Sequence, residues 1–198
     1  MNIAIGADGT GTTFEEIIKA ARNNELNAKI VLLFSNNGNA LAVKRARKYG
    51  IPVSILNKDK SQEEHDTLLF HVLQNHNPKI DLICLTGYLK LIPPRIIHAF
   101  QRKIINSHQS LDLKKFGGKG MYGIRVPRAI IKAGLKKTGS TIHFVSKQYD
   151  DPNGVIKQTN PLTILPRDTA ETLLSRQLPL ERMLYIEVIK MFCDNRLP

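Results

Sequence analysis

Apolar positions along this chain fall into short continuous runs that alternate with stretches of helical spacing. Asn2 to Gly6 is a short apolar run passing straight into Ala7-Asp8-Gly9-Thr10-Gly11-Thr12-Thr13, after which Phe14, Ile17, Ile18 and Ala21 recur three and four residues apart. That spacing puts them on one helix face, so the segment reads strand, glycine-rich turn, helix. Lys29 to Phe34 (KIVLLF) is almost wholly apolar, as a strand buried on both faces must be; Ser35 to Gly38 is a turn, and Ala40 to Tyr49 a helix closed by Gly50. Ile51 to Ile55 gives a third strand, Gln62 to Gln74 a helix, Ile80 to Thr86 a fourth strand, and Pro94 to Phe100 a helix with proline at its start. Strands and helices in alternation predict an α/β, Rossmann-like fold: an open, mostly parallel twisted sheet wound by right-handed crossovers, with helices on both faces.

In the second half Ile104 and Ile105 lead into Asn106, Ser107 and His108, and then into a loop with Gly117, Gly118, Gly120 and Gly123. Val126 to Ala133 reads as a helix and Gly139 to Ser146 as an alternating strand, with Thr141, His143 and Val145 on one face; His143 is expected to be a packing residue, a site role being the alternative. A turn-rich acidic loop from Tyr149 to Gly154 precedes a strand at Val155 to Gln158. The last helix is expected to be N-capped by Asp168, interrupted at Pro179 and resumed over Leu180 to Phe192. With 198 residues the chain suits one domain over 1–198, read in two halves, 1–100 and 101–198.

Composition narrows the class. Hydrophobic residues at 42% and charged ones at 23% describe a globular chain. No apolar stretch approaches a membrane span, and MNIAIGADG lacks a basic segment followed by a long apolar core, so a cytoplasmic protein without a membrane partner is expected. Cys84 and Cys193 stand far apart and read as plain thiols. The six histidines show no zinc-site spacing; His71 and His76 read as surface or packing residues, and no metal is expected. The net charge of +12 argues for an anionic partner, a phosphate, a polyglutamate or a nucleic acid, without choosing among them.

Three stretches carry candidate chemistry. The turn at Gly9 to Thr13 aims backbone N–H groups and a helix dipole at one point, where a phosphate binds. The third glycine of a dinucleotide fingerprint is replaced by Phe14 and the phosphate-loop lysine is missing, so a monophosphate ester fits better; a turn that only connects strand to helix is the alternative. Asn106 and His108 alternate onto one face at a strand end, where an amide donor beside an imidazole can bind an oxyanion and move a proton; a buried, hydrogen-bonded pair is the other reading. Gly87 to Ile92 follows the fourth strand. All three follow the carboxyl ends of strands and are expected on one rim. A carboxylate of the acidic loop, placed near the pair, would raise the imidazole pKa and keep it protonated.

Read in order, the glycine-rich first turn, FSN at Phe34 to Asn36, RARKYGIP from Arg45 to Pro52, LTGYLKLI from Leu85 to Ile92, Asn106 and His108, KFGGKGMYG from Lys115 to Gly123, and TIHFV from Thr141 to Val145 with the aspartate loop span nearly the whole chain. In this ordered sum the chain resembles the phosphoribosylglycinamide formyltransferase family, folate-dependent enzymes of purine synthesis. The resemblance implies transfer of a formyl group from 10-formyltetrahydrofolate, as co-substrate, to the amine of glycinamide ribonucleotide. It assigns Asn106, His108 and Asp150 to catalysis, Gly11, Thr12 and Thr13 to the substrate phosphate, Glu181 to the ribonucleotide, and Leu89, Lys90, Leu91 and Ile92 to the folate. It implies small-molecule partners, direct acyl transfer without a metal, and a monomer or homodimer.

The chain departs from the family pattern around the pair. The usual Asn-Ile-His-Pro-Ser-Leu-Leu-Pro reads here Asn106-Ser107-His108-Gln109-Ser110-Leu111-Asp112-Leu113, losing two prolines; Arg125-Val126-Pro127-Arg128 replaces a His-containing stretch, and Arg182 follows Glu181 where a His is usual. The aspartate loop is one residue longer, which makes Asp151 a rival to Asp150, and an arginine often found in the helix beginning near Gln62 is absent. Other readings are a formyltransferase for a sugar-nucleotide amine, or a divergent low-activity homologue that binds anions. A transfer-RNA formyltransferase is not expected, because such enzymes carry a further C-terminal domain and this chain ends at Pro198. Lys44, Arg45, Arg47 and Lys48 line a helix without interleaved aromatics, so a solvated face is expected there rather than a nucleic-acid surface.

Overall fold

In chain order the elements are β1 (Asn2–Gly6), α1 (Thr12–Arg22), β2 (Lys29–Ser35), α2 (Leu41–Lys48), β3 (Val53–Ile55), α3 (Gln62–Gln74), β4 (Leu82–Leu85), α4 (Pro94–Ala99), β5 (Ile104–His108), α5 (Leu113–Phe116), α6 (Arg125–Lys132), β6 (Lys137–Thr138), β7 (Thr141–Phe144), a 3₁₀ turn (Pro152–Gly154), β8 (Val155–Gln158), β9 (Leu162–Thr163) and α7 (Ala170–Cys193). The computed structural model describes residues 1–56 and 61–196. These fall into two compact units, Met1–Ile105 and Asn106–Pro198, the boundary lying inside β5.

In the first unit β1 lies between β2 and β4, β3 lies outside β2, and each of these pairings is parallel. Ile83 of β4 donates its N–H to the Lys103 carbonyl, at the entry to β5. Ile3, Ala4 and Ile5 of β1 and Leu33 and Phe34 of β2 are fully buried, as continuous apolar runs in a parallel sheet must be. Phe14, Ile17 and Ile18 of α1 and Ala42, Val43 and Ala46 of α2 supply the helical side of that core. Strands that pair in parallel and alternate with helices bear out the α/β reading. The bounds of α3 match the sequence because a capping box fixes its start: Ser61 accepts the Glu64 N–H while the Glu64 side chain accepts the Ser61 N–H.

In the second unit the strand order is β5-β7-β8, with β7 and β8 antiparallel, and β6 and β9 form a separate antiparallel pair. Phe116, Val126, Ile130 and Leu173 make an apolar cluster from α5, α6 and α7. Two expectations about the last helix need correction. Its N-cap is Thr169, whose hydroxyl accepts the Thr172 N–H, while Asp168 accepts the Leu165 N–H and pairs with Arg176. The helix also runs unbroken from Ala170 to Cys193, with Pro179 inside it. Pro179 is solvent-exposed, so its ring meets water and only one ladder hydrogen bond is lost. Helix α5 and the β6–β9 pair were not expected from the pattern. Among the described residues no helix is long and apolar enough to cross a membrane.

Pro179→Ala restores an N–H donor to the exposed side of α7. We expect it to stabilise the protein by about 1–3 kcal/mol in denaturant unfolding, from the helix cost of proline; a loss of stability would mean that the ring makes a compensating contact.

Candidate active site

The second unit brings His108, His143 and Asp150 together. Ile104 and Ile105 are buried and extended, so the alternation of β5 puts Asn106 and His108 on one side and Ser107 and Gln109 on the other. His108 is 4% exposed. Its Nε2 donates to the Phe116 carbonyl at 2.7 Å, and its Nδ1 lies 3.5 Å from Asp150 Oδ2. On the other side of Asp150, Oδ1 lies 3.4 Å from His143 Nε2, a close approach without hydrogen-bond alignment. The His143 Nδ1 donates to the Phe144 carbonyl at 3.0 Å. Each imidazole thus has its outer nitrogen tied to a backbone carbonyl and its inner nitrogen turned toward one carboxylate. Asn106 is half-buried beside His108 on the strand.

The backbone explains why Asp150 reaches this position. Its φ is +45°, a left-handed conformation that aspartate tolerates better than most residues. Gly117 leaves the room: a Cβ there would lie 2.5 Å from the Leu113 carbonyl oxygen and 2.8 Å from Asp150 Cβ. The next N–H, of Gly118, donates to Asp150 Oδ2 at 2.8 Å. Asp151 is engaged elsewhere, accepting the Asn153 N–H at 2.9 Å and the Ser146 hydroxyl at 3.0 Å. Of the two rivals, Asp150 is the one that faces the histidines.

Two expectations change here. His143 is a partner of Asp150 rather than a packing residue. His108 is not held protonated by its carboxylate: burial pushes its pKa below the ordinary histidine value, and the Asp150 charge and the Phe116 carbonyl only partly oppose this. Burial works against the charge of Asp150 as well, but the His143 contact, the charge of His108 and the Gly118 N–H together hold its carboxyl below the usual range.

Glu181, on α7, is buried. Its Oε1 accepts the Ser107 hydroxyl at 2.8 Å and its Oε2 accepts a Gln109 amide N–H at 2.9 Å. Burial pushes its pKa up, against the pull of these two donors and of Arg182. One turn earlier, Gln177 donates to the carbonyls of Gln109 and Gly139.

The first unit holds the other predicted residues. Gly11, at φ +68°, is the N-cap of α1 and provides no side-chain cap, so the N–H groups of the first turn, at Thr12 and Thr13, stay open to a ligand. A Cβ at Gly11 would lie 2.7 Å from Ala42. The turn is fixed from α2, where Ala42 donates its N–H to the Gly9 carbonyl and Arg45 Nε donates to the Thr10 carbonyl at 2.9 Å. Leu89 and Leu91 are exposed, Lys90 is half-buried and Ile92 is buried. The Leu89 N–H donates to Asp8, and Asp8 donates its own N–H to the Gly87 carbonyl, so the turn after β1 and the segment after β4 are joined. His65 is fully buried in the same network, with Nε2 donating to Asn36 Oδ1 at 2.6 Å. Sequence reading missed Asp8 and His65, and for Asp8 the only available signal was a carboxylate beside a glycine turn. Among the described residues no group of three or more His, Cys, Asp or Glu is placed to hold a metal ion.

Residues 1–189 match the formyl transferase family. Among similar proteins, a phosphoribosylglycinamide formyltransferase of Haemophilus influenzae is 34% identical over 98% of this chain and 88% of its own length. A chloroplastic phosphoribosylglycinamide formyltransferase of Arabidopsis thaliana is 37% identical over 98% of this chain; the chain spans 66% of that protein and 62% of its Vigna unguiculata counterpart, just under two thirds of each. Among solved structures, glycinamide ribonucleotide transformylase 1 from Symbiobacterium toebii superposes with a TM-score of 0.88 at 30% identity, covering 99% of this chain and 89% of that one.

Both lowered pKa values in this site act on stability in one sense. The unfolded chain takes up protons on His108 (ordinary value 6.5) and on Asp150 (ordinary value 3.8) at a higher pH than the folded chain does. Their stabilisation is therefore complete above those unfolded values and is lost as pH falls toward the folded ones. We expect the thermal midpoint to drop between about pH 7.5 and 5.5, and to drop less in His108→Asn. Parallel pH profiles for the two proteins would show that burial of His108 contributes nothing.

Proposed function

The chain belongs to the formyl transferase family, and from that membership we propose that it is a glycinamide ribonucleotide formyltransferase using 10-formyltetrahydrofolate as formyl donor. In this reading residues 1–198 act as one formyltransferase domain, cytoplasmic and monomeric or homodimeric, with small molecules as partners. The observation that carries it is the pairing of Asn106 and His108 on one side of β5 with Asp150 held against the His108 ring.

The reaction is a direct acyl transfer. The amine nitrogen of the ribonucleotide attacks the formyl carbon, a tetrahedral intermediate forms, the bond from that carbon to the folate nitrogen breaks, and one proton passes from the attacking nitrogen to the departing one. The Asn106 amide donates an N–H to the oxygen as it becomes negative. His108, neutral at rest because it is buried, accepts the amine proton at its inner nitrogen. The imidazolium so formed faces the ionised Asp150, which stabilises it until the proton is passed on; His143 steadies the other carboxylate oxygen. The turn at Gly11 with the open N–H groups of Thr12 and Thr13 takes the substrate phosphate, and the backbone of Leu89, Lys90, Leu91 and Ile92 takes the pterin. Each Glu181 oxygen uses one lone pair on Ser107 or Gln109, leaving the other directions to accept from a ribonucleotide hydroxyl.

Formyl transfer measured with glycinamide ribonucleotide and 10-formyltetrahydrofolate tests this reading, and correctly folded protein with no turnover above background sinks it. Asn106→Ala and His108→Ala are each expected to lower kcat by about 10²–10⁴-fold. Asp150→Asn should do the same and Asp151→Asn should not; the reverse pattern would assign the carboxylate wrongly.

A further inference from the structure

Asp8 has no part in the chemistry above, yet its carboxylate accepts four hydrogen bonds. Oδ1 takes the Asn36 N–H at 2.6 Å and the Ser35 hydroxyl at 3.1 Å, and Oδ2 takes the Asn36 side-chain amide and the Leu89 N–H, both at 2.9 Å. One side chain therefore joins the loops that leave β1, β2 and β4. Behind it the network is fixed in direction. The Asn36 amide donates to Asp8, so its oxygen faces His65, whose Nε2 must carry a proton to donate at 2.6 Å. The Tyr88 hydroxyl lies 3.5 Å from the same Asn36 oxygen, and Ser35, Asn36, His65 and Tyr88 are all buried. A polar network satisfied in this way is rigid.

The segment it holds is weakly packed at its middle. Leu89 is 60% exposed and Leu91 41% exposed, so between the buried Tyr88 and Ile92 these side chains add little packing, and the hydrogen bond from the Leu89 N–H to Asp8 ties the backbone there. We propose that Asp8 is a positioning residue for the formyl donor: by holding the Leu89 N–H it sets where the backbone groups of Lys90, Leu91 and Ile92 point. The inference rests on the folate role proposed for that segment. The requirement is for a carboxylate rather than an amide. Asp8→Asn is nearly isosteric but turns an NH₂ toward two donors, the Leu89 N–H or the Asn36 amide on one side and the Ser35 and Asn36 donors on the other, whichever way it flips.

Two readouts on Asp8→Asn test the proposal, with Ser35→Ala as control because it removes a donor to the same carboxylate without touching Leu89. Amide hydrogen exchange at Leu89, which needs no ligand, should accelerate about tenfold or more in Asp8→Asn and stay near the parent in Ser35→Ala. The KM for 10-formyltetrahydrofolate should rise about tenfold in Asp8→Asn, with kcat and the KM for glycinamide ribonucleotide within about threefold of the parent. Unchanged Leu89 exchange overturns the tether. Faster exchange with an unmoved donor KM, or equal effects in Asp8→Asn and Ser35→Ala, overturns the positioning role. If the parent enzyme does not transfer formyl groups, the proposed function fails while the exchange arm still judges the tether. Should Asp8→Asn not fold, Asp8→Glu, which keeps the charge but moves the oxygens by one methylene, is read in the same way.

Discussion

The arrangement of His108, His143 and Asp150 depends on keeping one carboxylate charged while it is largely withdrawn from water. Burying an unpaired carboxylate costs several kcal/mol, and Asp150 offsets part of that cost with the Gly118 N–H on one oxygen, while an imidazole lies near each oxygen. The compensation dictates the local backbone. Asp150 occupies a left-handed conformation, and Gly117 must lack a side chain for the approach to be possible. The two rings are oriented by main-chain carbonyls, Phe116 for His108 and Phe144 for His143, so their inner nitrogens cannot turn away from the carboxylate. What remains variable is where the protons reside. A site built in this way is suited to take up one proton and release it a step later, which is what acyl transfer between two nitrogens requires.

Much of the first unit was legible because local and global preferences agree there. The apolar runs at β1 and β2 are buried on both faces, and the Ser61–Glu64 box gave α3 its bounds. The second unit was harder to read. Helix α5 has only four residues and opens with Asp112 accepting the Lys115 N–H, too short a pattern to register as periodicity. Pro179 was a stop signal by local rules, and tertiary structure overrode it because the ring points to solvent. Alternation grouped His143 with Thr141 but could not say that this side of the strand meets Asp150. Asp8 was less legible still. Its partners Asn36 and Leu89 lie 28 and 81 residues away, and no short-range rule links a turn aspartate to them.

The segment after Asn106 and His108 shows a change in how rigidity is obtained. Prolines restrict a turn chiefly by narrowing the unfolded ensemble, and this chain lacks the two that its family pattern places after His108. Their work falls to hydrogen bonds made in the folded state. Glu181 holds Ser107 and Gln109, Gln177 holds the Gln109 carbonyl, Thr141 donates to the Ser110 carbonyl at 2.6 Å, and Gln158 donates to the Leu111 carbonyl at 2.7 Å. Such a frame is tied to a titrating group, as a proline frame is not. Burial raises the Glu181 pKa above its unfolded value, so the folded chain takes up this proton more readily than the unfolded one and acidification favours folding at this position. At Asp150 acidification has the opposite effect on folding. Protonation would also give Glu181 a proton of its own to place beside the Ser107 and Gln109 donors, so the hydrogen-bond pattern at the strand end is coupled to the titration of Glu181.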